Sequence, residues 1–303
     1  RIGTKCSGGI KAMRHINKNN PKIRKEALTI ILKLIQNQWI DGEYYNLTYE
    51  DLDVSELENI LVKEQEGYCC YCMRTLRQSE IDGSERNVTL EHIIPNHISE
   101  SDFERDKARY SDYFKFDKKH IKVFVHGVLE DKKKQLKPPP FPHFVAYDNL
   151  VASCDGRTLN NLDIITPHHC CNNYREDRFV APLFYKENVE DLIRYDSKGN
   201  IDCDEKYVRY LDERALNLMT YSFCQIRRFW RIIAQSEYTV DDILNARTDT
   251  TRRNDIIDDI SDNSDRWNSV RKEIVWKLFA DYSWFYYYYT RQPRICNTDM
   301  PYS

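Results

Sequence analysis

Several things are missing from this sequence, and each absence narrows what it encodes. Positive charge is not in excess: 45 Lys and Arg stand against 48 Asp and Glu, for a net charge of −3. No whole-molecule basic field therefore announces nucleic acid, and any such surface has to be a local patch. No apolar run approaches the roughly 18 residues that a membrane helix needs. An apolar leader segment is missing as well, so secretion is not expected and a cytoplasmic setting is. The first residue is Arg1, which makes Met13 a candidate natural start and residues 1–12 an added or upstream segment. There is no internal repeat.

What is present is a chain of 303 residues, 41% hydrophobic and 31% charged, enough for one large or two modest globular domains with a highly charged surface. Ten cysteines are many for such a protein. A disulfide framework belongs to small secreted chains, and this one is expected to be neither. Cys69, Cys70, Cys72, Cys170 and Cys171 cluster, and Cys69-x-x-Cys72 has zinc-knuckle spacing. Cys6, Cys203, Cys224 and Cys296 are scattered, as structural or incidental thiols are.

Read in order, Asn20-Pro21 is a helix start, and Ile23, Ala27, Ile30, Ile31, Leu34 and Ile35 form one face of a helix reaching about Gln38. Ser55 with Glu58 suggests a capping box, Leu57, Ile60 and Leu61 an apolar stripe, and Gly67 a C-terminal stop. Asp82-Gly83 is a hairpin signal, and Val88, Thr89 and Leu90 form a strand that ends in Glu91-His92. Residues 100–145 read as an insertion with 11 Lys/Arg against 8 Asp/Glu, aromatics at Tyr110, Tyr113, Phe114 and Phe116 among others, and Lys132-Lys133-Lys134 ahead of three prolines. It is either a solvated excursion or a phosphate-tracking flap. A short strand follows at residues 147–153, a loop at 155–169, a short helix from Asn172, and strands at 179–183 and 192–195, the latter turning through residues 196–200. From Asp212 the period becomes helical, with Leu216, Met219, Phe223, Ile226, Trp230 and Ile233 as a buried stripe; Arg227, Arg228 and Arg231 on it are a solvated face or a phosphate contact. Trp267, Val270, Ile274 and Leu278 mark a last helix that runs into six consecutive aromatics, residues 284–289. Such a run is either core or a docking surface.

Hydrolysis of a phosphodiester needs a water, a group that takes its proton, and positive charge at the leaving oxygen. His92 suits the second task because its ordinary pKa lies near neutrality. Mg²⁺ suits the third, since it keeps several waters and needs only one or two protein oxygens. Glu91 offers a carboxylate beside His92, and an Asn amide from a following helix offers another oxygen.

The order Cys69-x-x-Cys72, Glu91-His92, Asn149, and a final Cys171-Asn172-Asn173 resembles the HNH nuclease family. The resemblance implies an α+β, mainly helical protein. Its ββα-metal core, with a structural zinc, would span residues 68–205 and include the insertion. An N-terminal helical region (1–67) and a C-terminal helical region (206–303) would flank it. It also implies roles. Glu91 matches the acidic ligand of the catalytic Mg²⁺ or Mn²⁺, His92 the general base, and Asn149 the residue that pins the loop behind the histidine. The last metal ligand falls at Asn172 on a plain Cys-Asn ending. On the longer form, which we favour, it falls at Asn173, with Arg175 near phosphate and Asp177 also in place. Cys69, Cys72, Cys154 and Cys171 match the zinc ligands, although Cys170 could replace Cys171, and His168 or His169 could replace a cysteine.

Met13-Arg-His-Ile-Asn, Asn149-Leu-Val-Ala-Ser-Cys-Asp-Gly and Ala215-Leu-Asn-Leu are similar to the HNH subunit of Septu-type anti-phage systems. That similarity implies a bacterial effector working beside an ABC-type ATPase, or accompanying a retron reverse transcriptase and its RNA–DNA product. Its target would be DNA by default, or a structured RNA. The part after about Leu211 is then expected to dock on the ATPase, unless its aromatics only fill core. Two other classes compete: a zinc-stabilised binding module in which Glu91 and His92 are structural, and a zinc hydrolase or deaminase, for which the abundant cysteines leave too closed a site.

Overall fold

The computed structural model describes residues 13–36, 39–40, 43–44, 47, 49–50, 52–80, 85–114, 120–124, 139–211, 215–261 and 265–291. Helices and small two-stranded sheets pack there around one hydrophobic core. Helix α1 (Pro21–Gln36) begins as expected: the Asn20 side-chain oxygen accepts from the backbone N–H groups of Lys22 (3.1 Å) and Ile23 (3.3 Å), and Ala27, Ile31 and Ile35 are buried. A short ribbon of β1 (Trp39–Ile40) and β2 (Glu43–Tyr44) follows. Helix α2 (Ser55–Glu64) buries Leu57, Ile60 and Leu61, but it has no capping box. Asp53 accepts from the Ser55 N–H (3.1 Å), while Glu58 pairs with Arg86 (2.6 Å). Gly67, at φ 82°, closes the helix with its N–H on the Val62 carbonyl (2.9 Å).

Strand β3 (Val88–His92) ends in Glu91-His92 and pairs antiparallel with a strand from beyond the insertion, so the insertion loops out of one ladder. Within it, α3 (Glu100–Tyr110) is capped by Ser99, and β4 (Ile121–Lys122) runs parallel to β5 (Phe141–Pro142). Single 3₁₀ turns at His143–Val145 and Tyr147–Asn149 then lead into β6 (Leu150–Cys154), the partner of β3. The Asp82-Gly83 signal, Phe116 and the Lys132-Lys133-Lys134 run lie outside the described residues, as does the segment before Met13.

Residues 155–169 form a hairpin rather than a loop: β7 (Arg157–Asn161) pairs antiparallel with β8 (Thr166–His169). Its strands are rich in Thr, Asn and His, so no apolar alternation betrays them. Helix α4 (Cys171–Arg175) follows, and residues 179–183, expected as a strand, instead lead into a 3₁₀ turn at Leu183–Tyr185. Beyond α5 (Val189–Leu192), β9 (Ile193–Tyr195) and β10 (Ile201–Cys203) form the expected hairpin around residues 196–200.

After α6 (Glu205–Leu211) comes α7 (Tyr221–Ile233), which starts nine residues later than Asp212. Two helices follow, α8 (Val240–Asn245), opened by a Thr239/Asp242 capping box, and α9 (Thr250–Ile260), capped by Asp249. A 3₁₀ segment (Asp265–Arg271), α10 (Glu273–Ala280) and α11 (Trp284–Thr290) end the described chain. The aromatic run is mostly core. Phe285 and Tyr288 are buried, Tyr286 meets Trp230 of α7 (6.2 Å between ring centroids), and Phe285 meets Tyr195 of β9 (5.3 Å). Only Tyr287 of the six is open, at 37%. No described helix is long and apolar enough to cross a membrane.

Candidate metal centre and the strand end beside it

The β3–β6 ladder sets Val88 against Cys154 at one end and His92 against Leu150 at the other. At the Cys154 end, the Sγ atoms of Cys69, Cys72, Cys154 and Cys171 all lie within 4.8 Å of one another, and all four residues are buried. The Cys72–Cys154 sulfur separation is 3.7 Å. A disulfide needs about 2.05 Å, whereas a tetrahedral zinc with bonds of about 2.3 Å puts its sulfurs about 3.8 Å apart. The four thiols therefore fit one metal ion such as zinc.

The local backbone makes this possible. Cys69 and Arg74 close a tight knuckle (N–H to carbonyl, 2.9 Å), with Met73 in the left-handed region at φ 62°. The second knuckle turns at Gly156, φ 68°, where an added Cβ would lie 2.4 Å from the Cys170 carbonyl and 2.5 Å from the Asn173 Cβ, so only glycine fits. Cys171 itself sits at φ 53°, the kind of strain that persists where surroundings fix it. Donors also face the sulfurs: the Cys154 N–H reaches Cys69 Sγ at 3.3 Å, and the Tyr282 hydroxyl donates to Cys72 Sγ at 3.8 Å. Such outer contacts orient ligands and stabilise thiolate. Cys170 is buried beside Cys72 and Cys154 but is not one of the mutually close four. His168 is turned to Asn217 (2.7 Å) and His169 is exposed, so neither histidine replaces a cysteine.

At the other end, Asn149 is fully buried and its amide is spent on backbone. Its oxygen accepts from the Ile94 N–H (2.7 Å), and its nitrogen donates to the carbonyls of Ile94 (3.0 Å) and His143 (2.9 Å). The amide thus clasps the turn directly after His92. His92 Nε2 lies 2.9 Å from the Phe144 carbonyl. A carbonyl only accepts, so Nε2 carries the proton and Nδ1 carries the lone pair. Nδ1 has no hydrogen-bond partner among the described residues. The ring packs edge-on to Tyr49 (4.5 Å between centroids), and burial pulls the His92 pKa down to about 4, so the imidazole is neutral at ordinary pH.

Glu91 is also buried. Its Oε1 accepts from the Tyr71 hydroxyl (2.9 Å) and from Arg175, while Oε2 has no partner among the described residues. Arg175, expected at a phosphate, is only 1% exposed. Its guanidinium is committed to Glu91, to the carbonyls of His92 and Ile93 (2.7 Å each), and to that of Arg178 (2.8 Å). Arg175 is an internal bracket for the strand end, because a guanidinium fork buried this way has no face left for solvent. Arg227 is likewise internal, donating to the Gly199 (3.1 Å) and Leu218 (2.8 Å) carbonyls.

The two asparagines part ways. Asn173 is exposed, rests on Gly156 and donates to the Asp155 carbonyl (3.4 Å), on the thiol side. At about 100° per residue, Asn172 lies about 60° around α4 from Arg175 and Asn173 about 160°. The half-buried Asn172 is thus the one nearer the Glu91 flank.

Sequence reasoning missed the groups that hold this end in place. Tyr71, Tyr49 and the Phe144 carbonyl carry no motif. Neither does His143, fully buried, with Nδ1 accepting from the Phe124 N–H (3.2 Å) and Nε2 on the Pro95 carbonyl (3.1 Å). Burial, with His92 nearby, lowers the His143 pKa to about 3. The two histidines are thus held neutral together. No family model, curated protein or solved structure matches the chain.

Proposed function

We propose that the chain is a metal-dependent endonuclease of the HNH type, built on a ββα-metal core of β3, β6 and α4. The observation that carries this reading is the state of His92: one ring nitrogen is fixed on a carbonyl, and the other holds a neutral lone pair with no partner among the described residues. A lone pair so placed can take a proton from water, although burial makes it a weaker base than an ordinary imidazole. Nδ1 takes a proton from water, the water oxygen bonds to phosphorus, and the bond to the leaving oxygen breaks. Glu91 Oε2 and the Asn172 amide oxygen would hold a Mg²⁺ or Mn²⁺ ion, which stabilises the charge on the leaving oxygen. Asn149 keeps the turn, and with it the imidazole, in place. The thiol knot takes a structural zinc, because a site closed by four cysteines leaves no open position for catalysis.

The motif strings near Met13, Asn149 and Ala215 support the further reading of an anti-phage effector that works beside an ABC-type ATPase or a retron reverse transcriptase. DNA is the first substrate to try and structured RNA the second. Incubating the purified chain with plasmid DNA and with total RNA, with and without Mg²⁺, tests the activity. Mg²⁺-dependent cutting of either supports it, and no cutting with or without an ATPase partner contradicts it. One observation favours the rival reading, a zinc-stabilised binding module: the Glu91 carboxylate is buried and already paired with Arg175. A module cuts nothing at any metal concentration.

A further inference from the structure

A cavity of about 660 Å³ opens between the knuckle segment, β7 and α10, away from Glu91 and His92. Its floor is a network of ion pairs. Arg74 and Arg77 both reach the buried Asp281 (3.0 and 2.5 Å), which also takes Arg247 (3.2 Å). Asp155 also holds Arg74 at 3.0 Å, and the lining as a whole sets Arg74, Arg77, Arg86, Arg157 and Lys277 against Glu85, Asp155, Glu273 and Asp281, one cation in excess. Arg157 stands at the rim, 72% exposed, with its carboxylate neighbours at a loose 3.6 and 3.9 Å.

The opposite wall is apolar. Leu159 and Leu278 back it, and Ile274 projects from α10 with 54% of its surface open, although its helix neighbours Val275 and Trp276 are buried. Thr158 lines the same cavity; it is 5% exposed, and its hydroxyl has no partner among the described residues.

We propose that this cavity binds a nucleoside phosphate, either free or as one unit of a single strand. The volume suits a ligand of that size. Phosphate oxygens match the guanidinium forks of the Arg157 side. A planar base, apolar on its faces and polar at its edge, matches the Ile274–Leu278 wall. The inference stands apart from the nuclease reading, since it requires no cutting.

The test uses the full chain without added divalent cation, so that nothing is cleaved. Anisotropy of a fluorescein-labelled oligothymidylate strand measures binding, and unlabelled ATP serves as competitor. Arg157→Glu and Ile274→Glu change exposed side chains that the fold does not need. Each should weaken strand binding about tenfold. Lys33→Glu, an equal charge change on α1 outside the cavity, should leave it within about twofold. Displacement by ATP would identify a free-nucleotide site, and strand binding that ATP does not displace would identify a strand subsite. Equal affinity in all variants, or no binding of either probe by the wild type, overturns the proposal.

Discussion

The two ends of one strand ladder make opposite use of the same architecture. At the Cys154 end, four thiols converge, donors face the sulfurs, and a glycine is required where the chain turns. Everything there is closed. At the His92 end, each key group is half committed among the described residues: Nε2 is fixed and Nδ1 is not, Oε1 is fixed and Oε2 is not. A site that only supports the fold satisfies its buried polar atoms, whereas a site that reacts keeps some of them back. On the proposed function, one end serves stability and the other chemistry, and the comparison can be broken from either side.

The largest effect is expected at the closed end. Cys154→Ser should abolish both zinc content and cooperative melting, since binding of a structural zinc is worth ~10–16 kcal/mol in small zinc domains and is coupled to folding. Elemental analysis with a thermal melt checks this; a folded, zinc-free variant would break the assignment. Cys170→Ser should keep its zinc and Cys171→Ser should lose it.

Next comes Asp281, which ties the C-terminal part to the knuckle segment through Arg74 and Arg77, also takes Arg247 from its own part, and whose carbonyl accepts the Thr75 N–H (2.8 Å). Asp281→Ala strands buried cations and should cost ~3–5 kcal/mol in denaturant unfolding. The same tie means that a chain cut after Gln235 should not fold. The C-terminal helices are therefore part of the body rather than a removable docking arm.

Asn149→Ala sharpens the view of the open end. Three buried backbone groups lose their partner, for about 3 kcal/mol by urea titration, and cleavage should fall with stability because the His92 turn is released. An Asn149→Ala protein as stable as wild type would show that the clasp is not needed.

Acid gives the smallest effect. The His92 pKa is depressed to about 4 in the fold, so the unfolded chain binds the extra proton first. The stabilisation is complete above pH ~6.5 and is lost as pH falls from there toward ~4, by at most about 3 kcal/mol. His143 acts in the same direction. Stability that is flat over that range in wild type, measured against His143→Phe, would contradict the burial of these rings as neutral groups.

Much of this was legible in the sequence. Spacing alone pointed to Cys69 and Cys72; Cys154, Cys171 and the role of Asn149 were implied only by the resemblance, which left Cys170 open where the structure brings Cys171 into the four. The roles of Arg175 and Asn173 were not legible. An arginine reads the same whether it meets phosphate or a buried carboxylate, and which face of a five-residue helix turns inward is decided by packing. The 155–169 hairpin was hidden because its strands lack apolar alternation. Asp281 carries no signal at all, since its partners lie more than 200 positions away for Arg74 and Arg77.

His92→Gln tests the central claim most directly. The glutamine Nε2 can still donate to the Phe144 carbonyl, so the anchor survives while the Nδ1 lone pair is gone. The account predicts zinc content and melting close to wild type, with Mg²⁺-dependent cleavage reduced by ~10²–10⁴-fold. Cleavage at the wild-type rate by a folded, zinc-loaded His92→Gln protein would contradict it.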